Sequence, residues 1–150
     1  MKRGLDTNVL VYAHVASLPE HGVVRKYVEG QLARKDVTLV LTPSVLHEFV
    51  HVVTDPRRFE PPVEMGEALA LARIYLGRAN VECAATDADA LADALDLVDR
   101  HRLGRKRLAD TLLAATLLRS GVRQLVTCNP DDFEIFAGLD LVDPRTVSAP

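Results

Sequence analysis

Leu5-Asp6-Thr7-Asn8-Val9-Leu10-Val11-Tyr12-Ala13 sets an acid and an amide at the point where a short strand gives way to an apolar helix. Lys2 to Leu5 has the length of a strand, and Asn8 to Ala16 reads as the helix that follows it. In an open α/β sheet, ligands bind in the crevice beyond the carboxyl ends of the strands. An Asp at that end of the first strand is therefore expected to point into the crevice. Asp6 also has a plainer reading, because Asp is a favoured helix N-cap. The rest of the chain has to decide between the two.

Outward from this stretch, strand and helix patterns alternate. Glu20 to Ala33 is a helix with Val23, Val24, Tyr27, Val28 and Leu32 on its apolar face. Val37 to Leu41 is a β-branched and Leu run, a buried strand. Thr42-Pro43 supplies an N-cap and a first-turn proline for a helix reaching about Thr54. Val63 to Arg78 is a fourth helix, and Val81 to Ala84 is a weak strand. Thr86-Asp87 caps a helix that runs to about His101, with Leu91, Leu95 and Val98 on one stripe. Leu108 to Arg119 is the most apolar helix and stops at Ser120-Gly121. Gln124 to Thr127 and Leu139 to Val142 complete the strands. Strands separated by helices mean parallel βαβ units, so the expected architecture is a three-layer α/β/α sandwich on a short, mainly parallel central sheet.

The chain has 150 residues, 48% of them apolar and 26% charged, which suits one globular domain over 1–150. A net charge of −3 excludes a protein that coats nucleic acid electrostatically. It leaves room for an enzyme that handles nucleic acid through a metal-filled acidic site. Cys83 and Cys128 form no CxxC pair and are expected as buried thiols in a reducing compartment. With no signal peptide and no apolar run of membrane-spanning length, the expectation is a cytoplasmic protein without a membrane partner. Among the basic residues, Arg102, Arg105, Lys106 and Arg107 cluster just ahead of Asp110.

Further acids stand at telling positions. Glu48 lies mid-helix among apolar residues, and Asp110 opens a helix that is apolar nearly all round and therefore buried. A helix N-terminus tolerates an acid for its dipole alone. Asn129 and Asp132, in Thr127-Cys-Asn-Pro-Asp-Asp-Phe133, follow a strand and so share a sheet edge with Asp6. Taken together, Leu5 to Leu10, Ser44 to Glu48, Ala109 to Ala115 and Leu125 to Phe133 resemble, in order, the motifs of the PIN domain. The resemblance is greatest to the VapC-type toxins of bacterial toxin–antitoxin pairs.

The resemblance implies a metal-dependent endoribonuclease in which Asp6, Glu48 and Asp110 are metal ligands. Asn129 and Asp132 would orient water, substrate or a second ion, although an amide stands at 129 where the family often has an acid. Oxygen-only donors suit Mg²⁺ or Mn²⁺, as one or two ions. Thr7, Asn8 and Thr127 are expected as supporting donors, Thr7 and Asn8 fixing the Asp6 carboxylate. Arg102, Arg105, Lys106 and Arg107 are candidates for RNA contact. The resemblance also implies a homodimer and a cognate antitoxin. Apolar surface between Val45 and Leu76, including Val52, Val53, Leu69, Leu71 and Leu76, is the expected interface.

Two other readings compete. His47-Glu48-Phe49-Val50-His51 matches H-E-x-x-H, the helix signature of zinc peptidases, with Glu64 or Glu67 as a possible third ligand. That reading leaves Asp6, Asp110 and Thr127 to Phe133 without a role. On the nuclease reading His51 is only a near neighbour of Glu48 at the cleft rim. A PIN-like domain that binds RNA or a partner without cutting is the other alternative. His14, His21 and His101 are read as residues of polar helix faces.

Overall fold

The computed structural model describes residues 1–147. Five strands are present there: β1 (Lys2–Leu5), β2 (Thr38–Leu41), β3 (Val81–Cys83), β4 (Gln124–Val126) and β5 (Asp140–Val142). The six α-helices are α1 (Thr7–His14), α2 (His21–Ala33), α3 (Pro43–Val53), α4 (Met65–Gly77), α5 (Ala88–Arg100) and α6 (Leu108–Arg119). All strand pairs are parallel, in the order β3-β2-β1-β4-β5. Right-handed crossovers then place α1 to α4 on one face and α5 with α6 on the other. Strand order reverses direction beside β1, so the switch point where ligands collect lies between the ends of β1 and β4. Asp6 and Thr127 are the residues that leave those two strands.

Local signals produce most of these boundaries. Thr42 Oγ1 accepts from the Val45 amide and Pro43 takes the first helical position of α3. Asp87 caps α5 by accepting from the Ala90 amide. Gly121, at φ 75°, supplies the left-handed residue that ends α6. The charged start of β1, unusual for a central strand, is satisfied at the sheet edge: Lys2 pairs with Glu82 at 2.7 Å, and Arg3 donates to Gln31 and Tyr27.

Several faces differ from expectation. Leu91 and Leu95 are 48% and 54% exposed, because α5 packs through Ala90 and Ala94, whose small side chains allow close approach to α6. On α2, Val23 faces solvent and Gln31 is buried instead, held by Arg3. Cys83 is exposed at the end of the edge strand β3, whereas Cys128 is buried. Val52 and Val53 belong to the core, so the exposed apolar surface of the 45–76 segment lies on α4, at Met65, Leu69, Ile74 and Leu76. His14 is half-buried, with Nε2 2.9 Å from Tyr75 Oη, and burial lowers its pKa.

Gly4 marks where α6 sits closest to the sheet. A Cβ there would fall 2.6 Å from Leu117 Cδ1 and 3.0 Å from Cδ2, and Leu117 is fully buried. Gly4→Ala is therefore expected to cost ~1–3 kcal/mol by overpacking. Thermal denaturation reads this as a Tm lowered by several degrees.

Candidate active site

Asp6 settles its two readings by its bonds. It stands at the N-cap position of α1, yet its side chain makes no capping hydrogen bond. Its Oδ2 instead accepts from Thr127 Oγ1 at 2.8 Å and from Asn8 Nδ2 at 2.7 Å. Asn8 Oδ1 in turn accepts from the Cys128 amide at 3.0 Å, and Thr127 Oγ1 accepts from the Asn129 amide at 3.0 Å. These bonds tie the ends of β1 and β4 together and fix the carboxylate between them. Thr7 supports Asp6 through its backbone amide, as expected, but its side chain goes elsewhere. The first turn of α1 points its hydroxyl toward α3, where Oγ1 donates to Glu48 Oε2 at 2.8 Å. The Thr7 side chain therefore positions Glu48, while the Asn8 and Thr127 side chains position Asp6.

Asp6, Glu48, Asp110, Asn129 and Asp132 all line one cavity of about 310 Å³. Four different segments deliver them: the β1–α1 junction, mid-α3, the first turn of α6, and the turn Pro130–Asp132 after β4. The gathered charge shows in their protonation. Burial raises the Asp6 pKa, only partly offset by its bond from Thr127. Burial, then the charges of Asp6 and Asp132, push Asp110 up to about 6. Arg107 opposes this, with Nε 3.6 Å from Asp110 Oδ2.

The basic cluster divides at this point. Arg102, Arg105 and Lys106 are exposed, whereas Arg107 turns inward and donates to the Asp132 carbonyl. Its Nε is buried without a hydrogen-bond partner. Arg107 is thus the one member of the four that acts as a counter-charge inside the acidic cleft.

Among the described residues, no three His, Cys, Asp or Glu side chains are grouped closely enough to grip a metal ion as they stand. The donor set nonetheless fits a hard divalent cation by its chemistry. Asp6, Glu48 and Asp110 offer only oxygen and face one cavity, where burial first and the neighbouring carboxylates second raise the Asp110 carboxyl to about 6. His47 and His51 are not part of this set. They line a separate groove with Leu46, Val50, Met65 and Leu69, between α3 and α4, and His51 does not reach the cleft rim. The two histidines and Glu48 therefore point to different cavities, which removes the geometry that a zinc peptidase needs. Glu67 lines a third cavity, with His14.

Tyr12, Arg58 and Phe59 also line the acidic cavity, and sequence reasoning did not place them there. The available signal is an Arg-aromatic pair, Arg58-Phe59, in the loop after the Glu48 helix.

The PIN domain family model matches residues 5–139. The ribonuclease VapC24 of Mycobacterium tuberculosis is 30% identical over 143 residues, covering 95% of this chain and 96% of that protein. In structure, VapBC2 from Rickettsia felis, bound to a promoter DNA fragment, matches 95% of this chain and 98% of its own with a TM-score of 0.66 at 22% identity. VapC20 of M. tuberculosis, a Sarcin-Ricin loop cleaving toxin, matches 82% and 86% with a TM-score of 0.63 at 18% identity. The order of the motifs, the parallel sheet and the carboxylates at its switch point agree with this likeness, and the chain belongs to the PIN-domain family, among the VapC-type ribonucleases.

Proposed function

We propose that residues 1–150 act as one nuclease domain, a VapC-type toxin that hydrolyses RNA phosphodiester bonds internally with Mg²⁺ or Mn²⁺. The observation that carries this reading is the meeting of Asp6, Glu48 and Asp110 in one cavity with Arg107 as their inward-facing counter-charge. Asp6, Glu48 and Asp110 would hold the ion. A divalent ion bound there lowers the pKa of a bound water and offsets charge on the phosphate. Asn8 and Thr127 hold Asp6 in place for that task, and Thr7 holds Glu48. Asn129 and Asp132, at the rim, orient the incoming water or the RNA. Arg102, Arg105 and Lys106 are exposed just outside, where they can meet phosphates further along the strand.

The raised Asp110 carboxyl gives a directional test. A proton and the metal ion compete for it, so the half-saturating Mg²⁺ concentration should climb as pH falls through about 6. The slope expected for one competing proton is roughly tenfold per pH unit. Magnesium titrations of RNA cleavage on either side of that pH measure it. A half-saturating concentration that does not move with pH contradicts the role of Asp110 as a ligand.

A cytoplasmic setting, a homodimer and an antitoxin that covers the cleft complete the proposal. No described helix is long and apolar enough to cross a membrane. The exposed Met65, Leu69, Ile74 and Leu76 on α4 supply apolar surface for the dimer.

A further inference from the structure

The cavity that holds the carboxylates is also lined by apolar and aromatic side chains. These are Val11, Tyr12, Leu18, Val52 and Phe59, and Arg58 lines the cavity with them. Val11 and Val52 are core residues, while Tyr12, Leu18 and Phe59 pack against the core and remain partly open to the cavity. The wall is built by the backbone. The amides of Arg58 and Phe59 donate to the Asp55 carbonyl at 3.0 and 3.2 Å, and the Val63 amide returns to the Val53 carbonyl at 2.9 Å. Arg58 is only loosely engaged: its one ion pair is 3.7 Å from Asp55, and its side chain is 60% exposed. Asp55 is already held by Arg57, through its amide at 2.9 Å and its Nε at 3.2 Å.

The chemistry of the occupant follows from two facts together. The chain carries a net charge of −3 and its cleft is acidic, so electrostatics alone cannot hold an RNA strand there. Bases stacking on aromatic side chains add affinity that is indifferent to charge in single-stranded RNA. A cavity of about 310 Å³ is at the small end of ligand pockets and suits one nucleotide. Because the acids and the apolar wall share that one cavity, a base on the wall belongs to a nucleotide adjoining the bond at the acids.

We propose that Phe59, Tyr12 and Arg58 form a nucleobase subsite, in which the base next to the scissile phosphate stacks on the aromatic wall and Arg58 meets the adjoining phosphate. The inference rests on the ribonuclease reading above and extends it to how the strand is seated.

Binding and cleavage together test it. The non-cleaving Asp110→Asn protein serves as host, and fluorescence anisotropy follows a short single-stranded RNA that carries one abasic position, moved along the strand. One position should weaken binding roughly five- to fifty-fold, and Phe59→Ala should weaken binding of the intact RNA by a similar factor. The two losses should not multiply, since each removes the same contact. Phe59→Tyr should keep the affinity, and Arg58→Ala should flatten its salt dependence. In cleavage by otherwise wild-type protein, Phe59→Ala should raise KM with little change in kcat. Affinity unchanged by Phe59→Ala, or penalties that multiply, would overturn the subsite. The first of those outcomes also leaves the apolar wall to a protein partner. RNA binding with all these signatures but no cleavage by the wild type fails the nuclease reading alone. Cleavage indifferent to Phe59→Ala fails the subsite alone.

Discussion

Asp110→Asn is expected to lower RNA cleavage about a thousandfold and, in the same protein, to raise the melting temperature without metal. The loss follows from taking a charged oxygen from the ion, where ~4 kcal/mol of charge stabilisation corresponds to three orders of magnitude in rate. The gain follows from the raised pKa. A carboxyl lifted from 3.8 to about 6 favours the fold when protonated, and that contribution is lost as pH rises through about 6. At neutral pH the wild type therefore carries a destabilising charge that the amide lacks. The side chain is 29% exposed, so the benefit is put at ~1–2 kcal/mol, below the full value of the shift. It should fade at pH values near 4, where the wild-type carboxyl is also neutral. Thermal melts at neutral and acidic pH, run beside a cleavage assay, read both effects. A variant that is inactive and destabilised at neutral pH would mean that Asp110 serves the fold instead of the site.

The second large effect separates neighbours on one helix turn. Glu48→Gln should abolish cleavage to a similar extent, whereas His47→Ala and His51→Ala should each leave it within a few-fold of wild type. Glu48 faces the acidic cavity and accepts from Thr7; the two histidines line the groove toward α4. Circular dichroism on all three variants checks that they fold, since each position is exposed and none removes core volume. Activity lost with either histidine and kept in Glu48→Gln would reverse the assignment.

The fold was largely legible because its signals are local. The strand and helix boundaries differ from the sequence reading by about two residues at most, and caps such as Thr42-Pro43 and Asp87 act within three or four positions. Helix faces were less legible. Leu91 and Leu95 outweigh Ala90 and Ala94 in hydrophobicity, but closeness to α6 selects the small residues. In the site, the carboxylates could be found from the crevice rule and from the family resemblance. What each donor supports could not be found that way. Thr7 stands next to Asp6 in sequence yet bonds Glu48, 41 positions away, because a helix turns its first residue off the strand axis. Arg107 sits in a run of exposed cations, and only the return of the Pro130–Asp132 turn gives it an inward partner. Phe59 and Arg58 reach the cavity through a loop whose path no periodic pattern announces.

The central claim is that the carboxylates at the β1–β4 switch point cut RNA with a divalent ion. It is tested most directly by following cleavage of single-stranded RNA by protein stripped with EDTA, then titrated with Mg²⁺ or Mn²⁺. Activity should vanish on stripping and return saturably with either ion. It should fail to return in Asp110→Asn or Glu48→Gln at any concentration that restores the wild type. Cleavage that persists in EDTA, or that returns with zinc and not with magnesium or manganese, would contradict the account.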